Sequence, residues 1–338
     1  MTAKQPSRGF DKDLAEIESL SGQFRAGSPP TPENIDYLRR ALTHRNNFLV
    51  SKVARLVADA ELFALLPDTL TAYDRFFLDA VKTDPQCWAK NALVKTLVKL
   101  EHRQKDAYLR GLRHHQMEAV WGGVSDTAGA LRATCTHALV GCPGVSDADL
   151  LTILLDPLVD TDKTVRIEAA RAIGQIGGVS AALLLRLRAL LGKAEPEPEV
   201  LGAVYSALLF VEGERAIPLV AGVLKEGDDL AAEAAFALAD LRTPEALAAL
   251  LARFHEGADS WFGSVLLSAV ALTRLPEAMD SLLALIAQDA REAPAAIEAI
   301  GRIAPNPEQR ARVQQAVVQA GSPRLDQAFR EHLPPSAE

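Results

Sequence analysis

The residues able to do chemistry are few and do not gather into motifs. The histidines, His44, His102, His114, His115, His137, His255 and His332, include no HExxH pair, the spacing that sets two imidazoles on one helical face around zinc. His114 and His115 are adjacent, and adjacent residues on a helix point to different faces. Cys87, Cys135 and Cys142 form no CxxC; so odd and sparse a set is no disulfide framework and fits a reducing compartment. Cys87 adjoins Trp88 without the signature of a nucleophile, so a buried or half-buried thiol is expected. Neither GxSxG, GxxxxGK[ST] nor GxGxxG occurs, and Gly174-Gln-Ile-Gly-Gly178 closes a helix, whereas a phosphate site sits where a helix opens. The reading is of a non-enzymatic protein with no cofactor and no metal.

What remains to be positioned is a surface, and the elements that would carry it repeat. In Asp160 to Gly178, DTDKTVRIEAARAIGQIGG, an acidic turn leads into a helix with apolar positions Val165, Ala169, Ala172, Ile173 and Ile176. They fall at i, i+4, i+7, i+8 and i+11, one stripe at the helical period, and Gly177 and Gly178 end it. Other helices align on the residue matching Ala172: Leu56, Thr96, Ala138, Ala207, Ala237, Ala271 and Ala299, at spacings of 28 to 42 residues. In every copy the next residue is apolar, the mark of a repeated buried seam. Thr31-Pro32-Glu33, Ser146 with Asp149, Thr243-Pro244-Glu245 and Pro276-Glu277 read as N-terminal caps of the helices between these copies.

The stretch resembles the second helix of a HEAT repeat, of the short bacterial kind often called the PBS-lyase HEAT-like repeat. Val165, Arg166, Ala169, Ala170, Ala172, Ile173, Gly174, Ile176 and Gly177 carry the likeness. The resemblance implies an all-α fold, a right-handed α-solenoid of about eight to nine helical hairpins with no sheet. The array is placed at residues 32–333. A polar arm over 1–31, holding one short helix from Asp11 to Phe24, would precede it, and 334–338 would form a disordered tail.

Composition agrees with such packing. Hydrophobic residues make up 49% and aromatics 5%, so the core must be built by close approach of Ala and Leu. The net charge of −8 is uneven: residues 32–115 carry fourteen basic and ten acidic side chains, residues 116–338 eighteen and thirty. The opening MTAKQPSRGFDKDLAE has no apolar secretory core, and no apolar run approaches the roughly 20 residues that cross a bilayer. A cytoplasmic location is expected.

The resemblance also implies that second helices line an inner, concave wall. If each stripe is buried at the aligned residue and the one after it, the residue just before points outward, as do those four and seven earlier still. The first such row is Arg55, Lys95, His137, Arg171, Ser206, Phe236, Val270 and Glu298: basic, then apolar, then acidic. The second row includes Asn91, and the third begins with Phe48 and Trp88. A groove cationic and aromatic at one end and apolar further along suits an extended acidic peptide, or a partner helix with acidic and hydrophobic residues. The plainer alternative is that these are ordinary solvated side chains sharing a row.

Two loops stand apart. His114 to Thr127, HHQMEAVWGGVSDT, is long for a connection within a repeat; either Trp121 tucks over the core or the loop binds something. Lys193 to Glu199 reads as a stiff solvated linker.

Three function classes follow: a scaffold or adaptor for a protein or acidic, hydrophobic peptide; a nucleic-acid binder or relative of the HEAT-like DNA glycosylases; and a phycobilin-lyase-like or chaperone-like protein. The second would use Asp84, Trp88, Asn91 and Lys95 on one face, but the acidic balance opposes binding to phosphates. The third rests on the resemblance alone. The scaffold reading leads.

Overall fold

The structure, a computed structural model, describes residues 8–334. Its helices gather into two compact units divided between Ala172 and Ile173.

Unit 1 opens with α1 (Arg8–Arg25). The segment expected to be a polar arm packs its helix onto α3, because Ile17 and Leu20, one turn apart, are buried. Residues 1–7 of the arm, and the tail beyond Pro334, lie outside the described residues. Next come α2 (Pro32–Leu42), α3 (Asn47–Asp59), α4 (Leu66–Arg75), a single turn α5 (Ala80–Thr83), α6 (Trp88–Lys99) and α7 (Lys105–Leu112). Thr31 caps α2 by accepting from Asn34 N, and Asn46 caps α3 by accepting from Leu49 N, each satisfying a first-turn amide.

A sheet follows, contrary to the expectation of none. β1 (Met117–Val120) and β2 (Gly123–Asp126) pair antiparallel about a turn at Trp121 and Gly122. Gly122 takes φ 91° there, the positive φ wanted at the second corner of a type II turn. The unit continues with α8 (Gly129–Leu139), α9 (Asp147–Ile153), α10 (Leu155–Leu158) and α11 (Lys163–Ile176); the division falls inside α11.

Unit 2 holds α12 (Gly178–Leu190), α13 (Pro198–Glu212), α14 (Ile217–Val223), α15 (Asp229–Leu241), α16 (Pro244–His255), α17 (Ser260–Leu272), α18 (Pro276–Ala287), α19 (Ala293–Arg302), α20 (Pro307–Ala320) and α21 (Pro323–His332). Each of α13, α15, α17 and α19 packs on the next, and α14, α16 and α18 each pack on the helix that follows them, the two-helix repeat the register predicts. The seam is small and apolar: Ala207, Leu208, Ala237, Leu238, Ala271, Ala299 and Ile300 are all buried. Gly174 shows why the repeat wants glycine, since a Cβ there would stand 2.9 Å from Ala207 Cβ. Among the described residues no helix is long and apolar enough to cross a membrane.

Candidate binding surface

The first two rungs of the outward row are assembled in unit 1 by α3 and α6. The Thr96 hydroxyl lies within 2.8 Å of the Ala54 carbonyl and 2.9 Å of the Ala92 carbonyl. That fixes the two helices so that the next residue outward on each, Arg55 and Lys95, is exposed on neighbouring helices. Neither has an ion-pair partner among the described residues. Two turns back, Phe48 and Trp88 meet edge-on with ring centroids 5.9 Å apart; Phe10 of α1 lies 6.4 Å from Phe48, and Lys52 Nζ 5.5 Å from the same ring. Trp88 is nonetheless 47% exposed. Between the rings and the cations sits Asn91, whose Oδ1 is shielded and accepts no hydrogen bond among the described residues.

Trp88 is placed by a buried carboxylate that the sequence reading assigned elsewhere. Asp84 Oδ1 accepts from Ala89 N (2.8 Å) and Asn47 Nδ2 (2.9 Å), while Oδ2 accepts from Lys90 N at 2.9 Å and pairs with Lys90 Nζ at 3.1 Å. One side chain therefore caps α6, ties it to the start of α3 and neutralises a buried lysine; both partners of the pair are inaccessible. The glycosylase-like face of Asp84, Trp88, Asn91 and Lys95 is corrected accordingly, because Asp84 faces the core and has no free oxygen to offer. The chain reaches Trp88 through Gln86 and Cys87, both left-handed at φ 60° and 54°, which costs on the order of 1 kcal/mol per residue. Glu118 of β1 holds this turn, its two carboxylate oxygens accepting from Gln86 N at 2.8 and 3.0 Å. Cys87 is buried, and burial pushes its thiol up to about 11.

The hairpin is anchored in turn by Arg132 of α8. The buried guanidinium donates to Asp126 at 2.7 Å and to both oxygens of Asp160 at 2.8 Å. Burial would raise the Asp126 carboxyl, but amides of Gln116 and Ala128, His115 and the Arg132 charge hold it well below the usual carboxylate range. Asp160 is lowered too, burial being outweighed by Arg132 and the Asp162 amide. At the other end Trp121 is fully exposed at 103%, with Met117, Val120 and Val124 exposed around it. The expectation that Trp121 tucks over the core is therefore overturned: a two-strand hairpin has too little core of its own to bury a ring at its turn.

The later rungs differ from the expected row. His137 and Arg171 are exposed, but Glu168 stands with both, 3.5 Å from His137 Nδ1 and 2.6 Å from Arg171, so their charge is offset locally. In unit 2 Phe236 is partly exposed, whereas Val270 is 0% exposed, a correction to its outward placement. The cause is α17, SWFGSVLLSAVAL, which has no charged residue and buries Leu266, Leu267, Ala269, Val270 and Ala271 together. A helix apolar all round has no polar face for rotation arguments to find. Glu298 is paired with Arg302 at 2.5 Å. Burial, reinforced by Glu199 and Asp229, raises the Glu233 carboxyl, and the row in this unit, Ser206, Phe236, Val270 and Glu298, has no cation to match Arg55 and Lys95.

Sequence reasoning missed the residues that position the surface: Lys90, Glu118, Arg132 and Asp160. A signal existed for two of them. Lys90 is on the stripe of Leu93, Val94 and Leu97, and Arg132 on that of Thr136 and Leu139, all buried. A charge on a buried stripe demands a buried counter-charge.

Residues 148–239 match the family model for HEAT repeats. With the helical architecture, the match supports a HEAT-repeat protein. HEAT repeats are a fold whose stacked helices offer extended interaction surfaces. A comparison with curated proteins found no match.

Proposed function

We propose that the chain is a non-catalytic HEAT-repeat scaffold, and that its recognition surface is the α3–α6 strip of unit 1. The observation that carries this reading is the conjunction of two cations with no ion-pair partner among the described residues, Arg55 and Lys95, with a partly exposed aromatic pair, Phe48 and Trp88, on adjacent helices. Cations with no counter-ion among the described residues attract an acidic segment. Rings held rigid by Asp84 and Phe10 supply apolar contact at low entropy cost. The occupant is an extended peptide or partner helix with acidic residues one or two turns from a leucine or aromatic side chain. The acidic-peptide specificity goes beyond the HEAT resemblance and rests on these residues.

The test is selection from a randomised peptide library displayed on phage against the full chain. The expected consensus is acidic with at least one large apolar residue, and enrichment disappears when the selection uses Arg55→Glu/Lys95→Glu. A neutral or basic consensus, or one that survives the double reversal, contradicts the proposal.

A further inference from the structure

Helix α12 presents an apolar stripe that no described residue of its own unit covers. Val179, Leu183, Leu187, Leu190 and Leu191 are 56 to 78% exposed, while Ala181, Ala182, Leu185 and Ala189 on the opposite face are buried. Its sister α18, also two-thirds apolar, exposes no large hydrophobic residue. Five Leu and Val side chains so exposed leave on the order of 500 Å² in one stripe, as large as the largest patch a soluble monomer ordinarily shows.

The chemistry of the stripe chooses its occupant. Both charged residues of α12 are already turned onto acids of the same chain: Arg186 onto Glu212, through Nε at 2.8 Å, and Arg188 onto Glu195. The stripe itself consists of Val and Leu, and its two neighbouring arginines are offset by acids, which favours an apolar partner over an acidic or basic one. The spacing is also symmetric. Val179, Leu183, Leu187 and Leu191 form one i, i+4 ridge whose midpoint lies between Leu183 and Leu187, so a half-turn about that midpoint exchanges 179 with 191 and 183 with 187. A ridge that maps onto itself under a two-fold axis is what an isologous contact requires. Two such ridges interdigitate in the commonest class of helix packing, with axes crossing at about −50°. Two copies would bury about 1,000 Å², the lower bound for a specific interface.

From this we infer that the chain self-associates as a two-fold dimer through α12, Val179 against Leu191 of a second copy and Leu183 against Leu187. The contact is independent of the α3–α6 strip and stands or falls apart from it.

Sedimentation velocity of the full chain from about 1 to 100 µM tests it, with a mass approaching twice 36.3 kDa expected at the upper end. Leu183→Glu/Leu187→Glu, at positions already exposed, keeps the far-ultraviolet circular dichroism of the wild type and weakens the dimer at least 100-fold. Orientation is read by disulfide trapping, the native Cys87, Cys135 and Cys142 being buried. A mixture of Val179→Cys and Leu191→Cys chains cross-links, and neither variant cross-links alone. A wild type that stays monomeric at 100 µM, a dimer that survives the double glutamate variant, or Val179→Cys linking to itself overturns the inference.

Discussion

The charged residues buried among the described residues, Asp84, Lys90, Glu118, Arg132 and Arg166, belong to unit 1, and the polar ones buried in unit 2 are Ser268, Thr273 and Ser322; unit 2 adds a shielded carboxylate, Glu195, paired with Arg188. The net charge divides the same way. Residues 1–172 carry 22 basic and 22 acidic side chains, residues 173–338 carry 14 and 22. Unit 1 has long or irregular connections and fixes them with buried ion pairs and backbone-to-carboxylate bonds. Unit 2 repeats a short hairpin on an Ala/Leu seam, and its shielded Arg188–Glu195 pair falls at the irregular connection after α12. The difference teaches that, Arg166 of the repeat motif aside, buried charge here marks places where repetition breaks, and the candidate surface is built at one of those breaks, where Asp84 and Glu118 set the start of α6.

The comparison is broken most directly at Arg132. Arg132→Met leaves Asp126 and Asp160 without their cation, and an expected loss of about 3–5 kcal/mol in urea unfolding follows from removing one partner of a buried pair. The pH dependence carries the same sign. Both carboxyls are lowered in the folded state, so their contribution is complete above the ordinary aspartate value of about 4 and is lost as the pH falls below it. Wild-type stability should therefore drop between about pH 4 and pH 2, and the drop should shrink in Arg132→Met. An equal drop in both proteins would place the acid sensitivity elsewhere.

A smaller effect sharpens the other side. Gly174→Ala inserts a methyl group against Ala207 in the seam, with an expected cost of about 1–3 kcal/mol, measured by the same unfolding titration. The smallest is Glu233→Gln. Its raised carboxyl favours the protonated form, so the folded state is relatively stabilised below the ordinary glutamate value and loses that advantage as the pH rises through the folded one. The glutamine variant should melt on the order of 1 °C higher at pH 7 and no higher at pH 4. A stabilisation that is the same at both pH values would mean that charge is not the cause.

How much of this the residues announced depends on which unit they lie in. The i, i+4, i+7 stripe and the glycines after Ile176 made α11 legible, and Gly177, at φ 71°, follows that helix as predicted. The aligned seam positions from Ala207 to Ile300 were legible for the same reason: one period repeats and local preference agrees with packing. Arg55, Lys95, Phe48 and Trp88 were placed together because α3 and α6 keep one register. Val270 was misplaced because α17 has no polar face to orient it. The hairpin was missed because MEAV and GVSD are too short for alternation to declare itself. Asp84 was misassigned because its partners, Asn47 and Lys90, sit 37 and 6 residues away, and no local pattern records such a meeting.

The contrast between the units is tested most directly by the affinity of one peptide selected on the wild type, measured by isothermal titration against Arg55→Glu/Lys95→Glu in unit 1 and Phe236→Glu in unit 2. Recognition by the α3–α6 strip predicts at least a tenfold loss for the first, about 1.4 kcal/mol or more, and less than a twofold change for the second. Equal affinities in wild type and the double reversal, or a larger loss with Phe236→Glu, would contradict it.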